Sequence, residues 1–394
     1  MTGLPSSPSP SPPRGFETVE FKNRLVKAQS MMAKAGLDAL LLTTEPEVRY
    51  FTGFLTRFWE SPTRPWFLII PAQSDPIAVI PSIGAELMGQ SWIEDIRTWR
   101  SPSLEDDGVS LLADALREVT GPSGKIGVPM GHETHVRMPL ADFQSLTDMI
   151  APITFTRADG IMRALRLVKS QAETVKIKQA CSIANRAFER VKEIAGAGTP
   201  LDQVFRRFQM LCLEEGADWV AYLAGGAGPS GYGDVISPAT PAPLLQGDVL
   251  MLDTGLVWDG YFCDFDRNFS IGVPTNIAAA GHMQLMEAVD AAMAMIKPGV
   301  TASDIFHAMD KIVTGGKGES EAGRLGHGLG MQLTEWPSLI PGDHTIIEEG
   351  MVLTLEPGVE TGQGRIMVHE ENIVVTADGA EPLSIFAKPE LEVL

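Results

Sequence analysis

The chain has 394 residues, 44% of them hydrophobic, enough for two packed domains with sizeable cores. Its formal net charge of -19 argues against a nucleic-acid partner, because phosphate recognition depends on clustered Lys and Arg. No stretch approaches the roughly 18 uninterrupted apolar residues of a membrane span, and no basic segment followed by an apolar core opens the chain, so neither a membrane nor secretion is indicated.

Residues 1–15, MTGLPSSPSPSPPRG, are rich in Pro and Ser and are expected to form a disordered or extended tail. From there to about residue 160 helical and strand patterns alternate. An amphipathic helix is predicted near 24–35, a short apolar strand over 37–42 and a buried strand over 66–71. That alternation predicts an α/β amino-terminal domain over 16–160. Within it, residues 56–66 place two arginines and two tryptophans in a Pro-containing loop. The loop reads either as a binder of carboxylate or cationic groups or as a surface loop tacked down by its aromatics.

A charged, Gly-containing stretch over 157–169 marks the passage to a second domain, placed at 161–394. It opens with a long amphipathic helix over about 171–195, in which Val175, Ile183, Ala187, Val191 and Ile194 recur at helical spacing as core positions. Cys181, Cys212 and Cys263 make an odd count without metal-ligand spacing, which suits a reducing cytoplasm.

Residues 249–269, VLMLDTGLVWDGYFCDFDRNF, read as two β-prone runs around Asp259-Gly260, a dipeptide that favours a two-residue hairpin turn. That turn pairs Trp258 with Tyr261, sets Asp264 opposite Gly255 and Asp266 opposite Asp253. Asp253, Asp264 and Asp266 then share one face of the hairpin. Three like charges so placed either make a solvated acidic face or surround a cation.

Further on, His327 lies in Gly326-His327-Gly328-Leu329-Gly330, where glycines permit close backbone approach. Glu356 closes the apolar run Val352-Leu353-Thr354-Leu355 just before Pro357-Gly358, and a carboxylate there calls for a metal or an arginine. Glu370 and Glu371 open a late strand, and only one of the two can point inward. Asp253, Asp264, His327, Glu356 and Glu370 together form a ligand set that hard or borderline divalent ions accept, with Mn, Fe, Co and Zn all suitable. The pattern points to a two-metal hydrolytic site.

In order and spacing these five residues resemble the pita-bread metallohydrolases: methionine aminopeptidase, aminopeptidase P, prolidase and the creatinase-like enzymes. Gly379, nine residues after Glu370, fits the family pattern and puts Glu370 rather than Glu371 in the ligand position. The resemblance extends to residues 165–170, 36–42 and 50–54, and so to nearly the whole chain. It is closest to the Xaa-Pro peptidase branch. It implies a creatinase-like α/β domain followed by an α+β pita-bread catalytic domain, and two divalent ions held by the five residues. It also implies a homodimer in which the 56–66 loop helps to close the partner's site, and a role for Glu356 as acceptor of the attacking water's proton.

The chain also departs from that family. Where the peptidases carry a histidine seven residues after the ligand histidine, this chain has Thr334, followed by Glu335. Residues 231–243, where another family histidine is expected, contain none. Asp266 stands where the family usually has Ser or Thr. Imidazole assistance typically contributes roughly 10² to 10⁴-fold, so Tyr222, Tyr232, Asp266, Thr334 and Glu335 become the candidates to replace it. The expected function is a cytoplasmic dinuclear-metal hydrolase of a small amide or Xaa-Pro-type bond, with a small-molecule or dipeptide substrate. The alternatives are a metal-dependent lyase resembling dimethylsulfoniopropionate lyases, with Asp266 as base, and a non-catalytic binding protein on the same fold.

Overall fold

The computed structural model describes residues 11–61, 64–317, 323–362 and 364–394. The tail expected to be disordered or extended lies outside the described residues up to position 10, as do Pro62 and Thr63 of the 56–66 loop. Two compact units are present, Pro13–Arg166 and, for the rest of the described chain, Leu167–Leu394.

The first unit is an α/β sandwich. Its sheet is built from β1 (Ala39–Leu42), β2 (Phe67–Pro71), β3 (Ile77–Pro81), β4 (Asp95–Trp99), β5 (Lys125–Val128) and β6 (Thr154–Arg157), in the order β4-β3-β2-β1-β5-β6. The strands β1, β2 and β3 are buried at every residue, as the continuous apolar runs require of a covered sheet. The helices Val109–Val119 and Leu140–Ile150 lay Leu112, Leu116, Leu146 and Ile150 against Leu41, Phe67, Val79 and Ile126. The 56–66 loop is fastened down. Arg137 donates to the carbonyls of Trp59 (2.9 Å), Arg64 (3.0 Å) and Ser61, and the Trp59 and Trp66 rings pack with centroids 5.8 Å apart.

The second unit is α+β. The helix Gln171–Glu189 begins at a capping box in which Ser170 and Glu173 satisfy each other's main-chain N–H. It ends earlier than the apolar periodicity suggested, with a 3-10 turn at Val191–Glu193. Val175 is 43% exposed and is not a core residue. The buried stripe runs instead through Ile177, Ala180, Cys181, Ala184 and Phe188, and Val175 falls beside it.

One sheet of this unit contains β7 (Trp219–Pro229), β8 (Asp248–Trp258), β9 (Tyr261–Phe262) and β10 (Phe265–Ser270). The second contains β11 (His327–Gly328), β12 (Glu335–Ser338), β13 (Val352–Leu355), β16 (Glu371–Val375) and β17 (Ala380–Pro382), in the order β12-β11-β13-β16-β17, while β14 (Gly358–Gly362) and β15 (Arg365–Val368) form a separate hairpin. The last strand, β18 (Glu392–Val393), runs parallel to β10.

The Asp-Gly hairpin forms in the expected register. Asp259 and Gly260 both take positive φ (49° and 78°), Trp258 pairs with Tyr261, and Asp266 pairs with Asp253. Side chains then tie β10 to the end of the β14-β15 hairpin and to the approach to β16: Asn268 Nδ2 donates to the Val368 carbonyl at 2.6 Å, and Arg267 Nη1 donates to the Glu370 carbonyl at 3.2 Å.

Candidate metal centre

Four of the five candidate ligands stand at a place where regular backbone stops or changes direction, and Asp253 is the exception. Asp253 lies within β8, paired with Asp266 on one side and Ala224 on the other. Asp264 sits in the gap between β9 and β10, where the ladder is interrupted. The Asn372 side chain takes over both of its main-chain groups: Oδ1 accepts from Asp264 N–H at 3.0 Å and Nδ2 donates to the Asp264 carbonyl. Asp264 is thereby fixed without a strand partner.

His327 opens β11 between two glycines that leave no room for a side chain. A Cβ on Gly326 would come within 2.3 Å of the Thr354 carbonyl oxygen, and one on Gly328 within 1.9 Å of the Trp336 carbonyl oxygen. Glu356 follows the end of β13, and its N–H is bonded to the Leu325 carbonyl at 3.0 Å. Glu370 immediately precedes β16, where Glu371 pairs with Leu355.

These elements bring ligand atoms of Asp264, His327 and Glu370 within 4.8 Å of one another, all three residues buried. The His327 ring shows what the gap between them demands. Its Nδ1 lies 2.8 Å from the Gly328 carbonyl and so carries a hydrogen. The Nε2 lone pair then faces Asp264 Oδ2 at 3.4 Å and Glu356 Oε1 at 3.9 Å. Acceptors turned toward acceptors require a positive centre, a proton or a metal ion.

Asp253 Oδ1 and Glu370 Oε1 are buried without any hydrogen-bond partner. Burial, reinforced by Asp264 and its neighbouring acids, pushes both carboxyls well above the ordinary range. Asp264 and Glu356 are raised as well, chiefly by burial, with His327 opposing the shift. Burial alone would lower the His327 imidazole, but Asp264 and Glu356 outweigh it and raise it. Unpaired carboxylate oxygens, an oriented imidazole nitrogen and mutual repulsion are the donor chemistry that divalent ions satisfy, so the five residues fit such an ion.

The other candidates fall into two groups. Tyr222, on β7, is half-buried, and its phenol is raised first by burial and then by Asp253, Asp264, Glu370 and Glu356. It stands beside the acids as a protonated donor. Thr334 accepts a hydrogen bond from Arg324 Nη2 at 3.3 Å, and Arg324 Nε lies 3.8 Å from Glu356 Oε2.

The remaining three are spoken for by the fold. Tyr232 is 1% exposed, and its hydroxyl accepts from Val368 N–H at 2.6 Å and lies 3.3 Å from Asn268 Oδ1, so it straps the β15 end to β10. Glu335 Oε1 accepts from Met331 N–H (2.8 Å) and Gln332 N–H (3.1 Å), while Oε2 meets Lys169 Nζ at 3.1 Å. This carboxylate holds the 330–335 turn in place. Asp266 does share the hairpin face with Asp253, yet it is 1% exposed and its Oδ1 lies 3.2 Å from His369 Nδ1. Its charge adds to the raising of the Asp253 and Glu370 carboxyls.

Three supporting residues went unread in the sequence: His369, Asn372 and Arg324. Strand alternation offered a signal for the first, since a residue adjacent to the inward Glu370 must share the opposite face with Glu371. His369 Nε2 does lie 3.0 Å from Glu371 Oε1.

Comparison with known proteins agrees with this architecture. The profile of the Creatinase/Prolidase N-terminal domain matches residues 24–168, and that of metallopeptidase family M24 matches residues 175–377. A probable dipeptidase PepE of Mycobacterium tuberculosis is 29% identical over 370 residues, covering 93% of this chain and 95% of its own. An Xaa-Pro dipeptidase of Lactobacillus delbrueckii subsp. lactis is 28% identical over 386 residues, covering 94% and 98%. The crystal structure of dipeptidase PepE from Mycobacterium ulcerans superposes with a TM-score of 0.82 at 28% identity, over 96% of this chain and 99% of that one. The chain belongs to metallopeptidase family M24, a family of hydrolytic enzymes that use divalent metal, with a creatinase-like domain preceding its pita-bread catalytic domain.

Proposed function

We propose that this protein is a dinuclear-metal-dependent hydrolase of a small amide or Xaa-Pro-type peptide bond. It would act on a dipeptide or similarly small substrate in the cytoplasm as a homodimer. The carrying observation is the convergence of Asp264, His327 and Glu370 within 4.8 Å beside the unpaired oxygens of Asp253 and Glu370. Asp253, Asp264, His327, Glu356 and Glu370 would hold the two ions, drawn from Mn, Fe, Co and Zn. Bound there, the ions would polarise the scissile carbonyl and make water nucleophilic at neutral pH.

The division of labour among the chain's own residues follows from their surroundings. Glu356, with its side chain 26% exposed, stays accessible at the cluster, and it would accept the proton of the attacking water. Tyr222, kept protonated by the acids beside it, would donate to the leaving nitrogen or the developing oxyanion and so stand in for a missing imidazole. The names of the relatives, dipeptidase and Xaa-Pro dipeptidase, support the substrate class. The proposed catalytic domain spans 161–394 and the amino-terminal domain 16–160, after a tail of 15 residues.

The test is a screen of the purified protein, loaded with each metal in turn, against Xaa-Pro dipeptides, other small amides and sulfonium metabolites. Hydrolysis of an amide that disappears in Glu356→Ala and drops by about 10² to 10⁴-fold in Tyr222→Phe is expected. Turnover confined to a sulfonium metabolite would replace the hydrolase reading with the lyase one. Thr334→His is expected to speed Xaa-Pro cleavage.

A further inference from the structure

Strand β18 pairs with β10 only at the end of that strand, Phe269 with Glu392 and Ser270 with Val393. The approach to it, residues 385–391, contains Pro389, which has no N–H to give to a ladder, and this segment forms no strand. It is nonetheless fastened: Ile385 N–H donates to Asn185 Oδ1 at 3.3 Å, Ala387 N–H to Glu371 Oε1 at 2.7 Å, and Leu394 N–H to the Ser270 carbonyl at 2.8 Å. Together with β10 and the helices Gln171–Glu189 and Asn276–Met295, it lines a cavity of about 500 Å³. That volume falls within the roughly 300 to 1,000 Å³ of small-molecule sites. None of the five candidate metal ligands lines it.

The lining residues Phe188, Phe269 and Leu391 are buried, whereas Lys192, Lys388 and Glu390 are exposed, so the depth of the cavity is apolar and charge collects at its mouth. Arg267 also lines it, but its guanidinium is taken by Glu371 and by main-chain carbonyls. One polar group stands out. His282 is 2% exposed, and its Nε2 lies 2.9 Å from the Lys388 carbonyl. A carbonyl only accepts, so Nε2 carries the hydrogen and Nδ1 is a bare acceptor. Burial first, then the nearby His369 and Arg267, lower the ring to about 4 and keep it neutral. Among the described residues nothing donates to Nδ1, although it is buried. An acceptor so placed is costly until a donor reaches it.

We propose that this cavity is a second binding site, separate from the metal centre, for a small uncharged aromatic molecule carrying one O–H or N–H group, with its ring against Phe188, Phe269 and Leu391 and its donor on His282 Nδ1. Phenyl rings prefer a flat partner that meets them offset or edge-on. A carboxylate would find no uncommitted cation in the buried part of the lining, and an ammonium would meet the repulsion of Arg267. Phenol and indole are the simplest members of the class that remains. The inference does not depend on the reaction carried out at the metal centre.

Phenol and anisole decide the matter on the zinc-loaded full chain, because they share a ring and differ in the donor. Calorimetric titration is expected to show phenol binding about 5 to 100-fold more tightly than anisole, the worth of a buried acceptor left without a donor. In protein labelled with ¹⁵N-histidine, phenol should shift the Nδ1 resonance of His282 and anisole should not. His282→Leu should bring phenol to within about twofold of anisole, while Leu391→Trp, which fills the cavity and leaves the histidine in place, should abolish the binding of both. Equal affinity for phenol and anisole, no binding of either phenol or indole, or a His282 resonance indifferent to phenol would overturn the proposal. So would tighter binding of benzoate or benzylammonium than of phenol, or a phenol-soaked crystal in which a water holds Nδ1 and the cavity contains no phenol. If His282→Leu does not fold, the comparison on the parent protein and the Leu391→Trp variant decide by the same criteria.

Discussion

Glu370 and Glu371 are identical side chains on adjacent residues, 2% and 0% exposed, yet they live in opposite electrostatic worlds. Glu371 is surrounded by protein donors: Arg267 at 2.9 Å, His369 Nε2 at 3.0 Å, Ala387 N–H at 2.7 Å and the Ser384 hydroxyl. Burial works to raise its carboxyl, but Arg267, His369 and Ser384 overcome it and hold the group below the usual range. Glu370 has other acids as neighbours, an oxygen with no partner, and a carboxyl pushed well up. One face of the strand end is a finished ion-pair network, while the other is complete only with a cation added. The difference teaches that burial of a charge does not mark function; burial without compensation does.

Exchanging the two glutamates separately breaks the comparison most directly. Glu370→Ala is expected to cut activity by at least about 10³-fold, as removal of an essential group does, while leaving unfolding by urea without added metal unchanged or harder. A marked loss of metal-free stability in that variant would mean that Glu370 is compensated after all. Glu371→Ala should do the opposite to the fold: it takes the carboxylate partner from Arg267 and from His369 Nε2, at a cost of about 3 to 5 kcal/mol, measurable as an earlier urea midpoint.

The compensated face can be sharpened by pH. His282, whose ring lies 6.1 Å from that of His369, is 2% exposed and held by burial at about 4, while Asp266 and Glu371 overcome burial to raise His369. A base depressed in the folded state contributes stability that is fully present above its unfolded value near 6.5 and is lost as pH falls toward 4, worth roughly 3 kcal/mol. The difference in unfolding free energy between parent and His282→Gln should therefore shrink across that window, and a pH-independent difference would show that His282 does not titrate there. The smallest effect expected is on the uncompensated face. Saturation with Mn, Fe, Co or Zn to about 100 times Kd should stabilise the parent by about 2.7 kcal/mol and leave Glu370→Ala unmoved. A parent whose melting temperature ignored all four ions would refute the metal reading of the cluster.

Much of this contrast was legible from local rules. Asp259-Gly260 specifies a turn by itself, the turn specifies the register, and the register places Asp266 opposite Asp253. The alternation of strand side chains separates Glu370 from Glu371 before any contact is known. What stayed hidden depends on distant chain segments. Asn372 holds Asp264 across 108 residues, and Glu335 is consumed by Lys169 across 166. The same limit explains Val175, whose spacing fits a helix face but not the face that meets the sheet.

Cys181, Cys212 and Cys263 are all buried, and burial raises each thiol. Cys181 also lies 3.3 Å from Asn372 Oδ1, against the side chain that clamps Asp264. Alkylating reagents need a thiolate within reach, so labelling must wait for the second unit to open. The three sulfurs are a built-in clock: mass-resolved labelling rates, read one cysteine at a time, would time the opening of each layer around the cluster without introducing any probe.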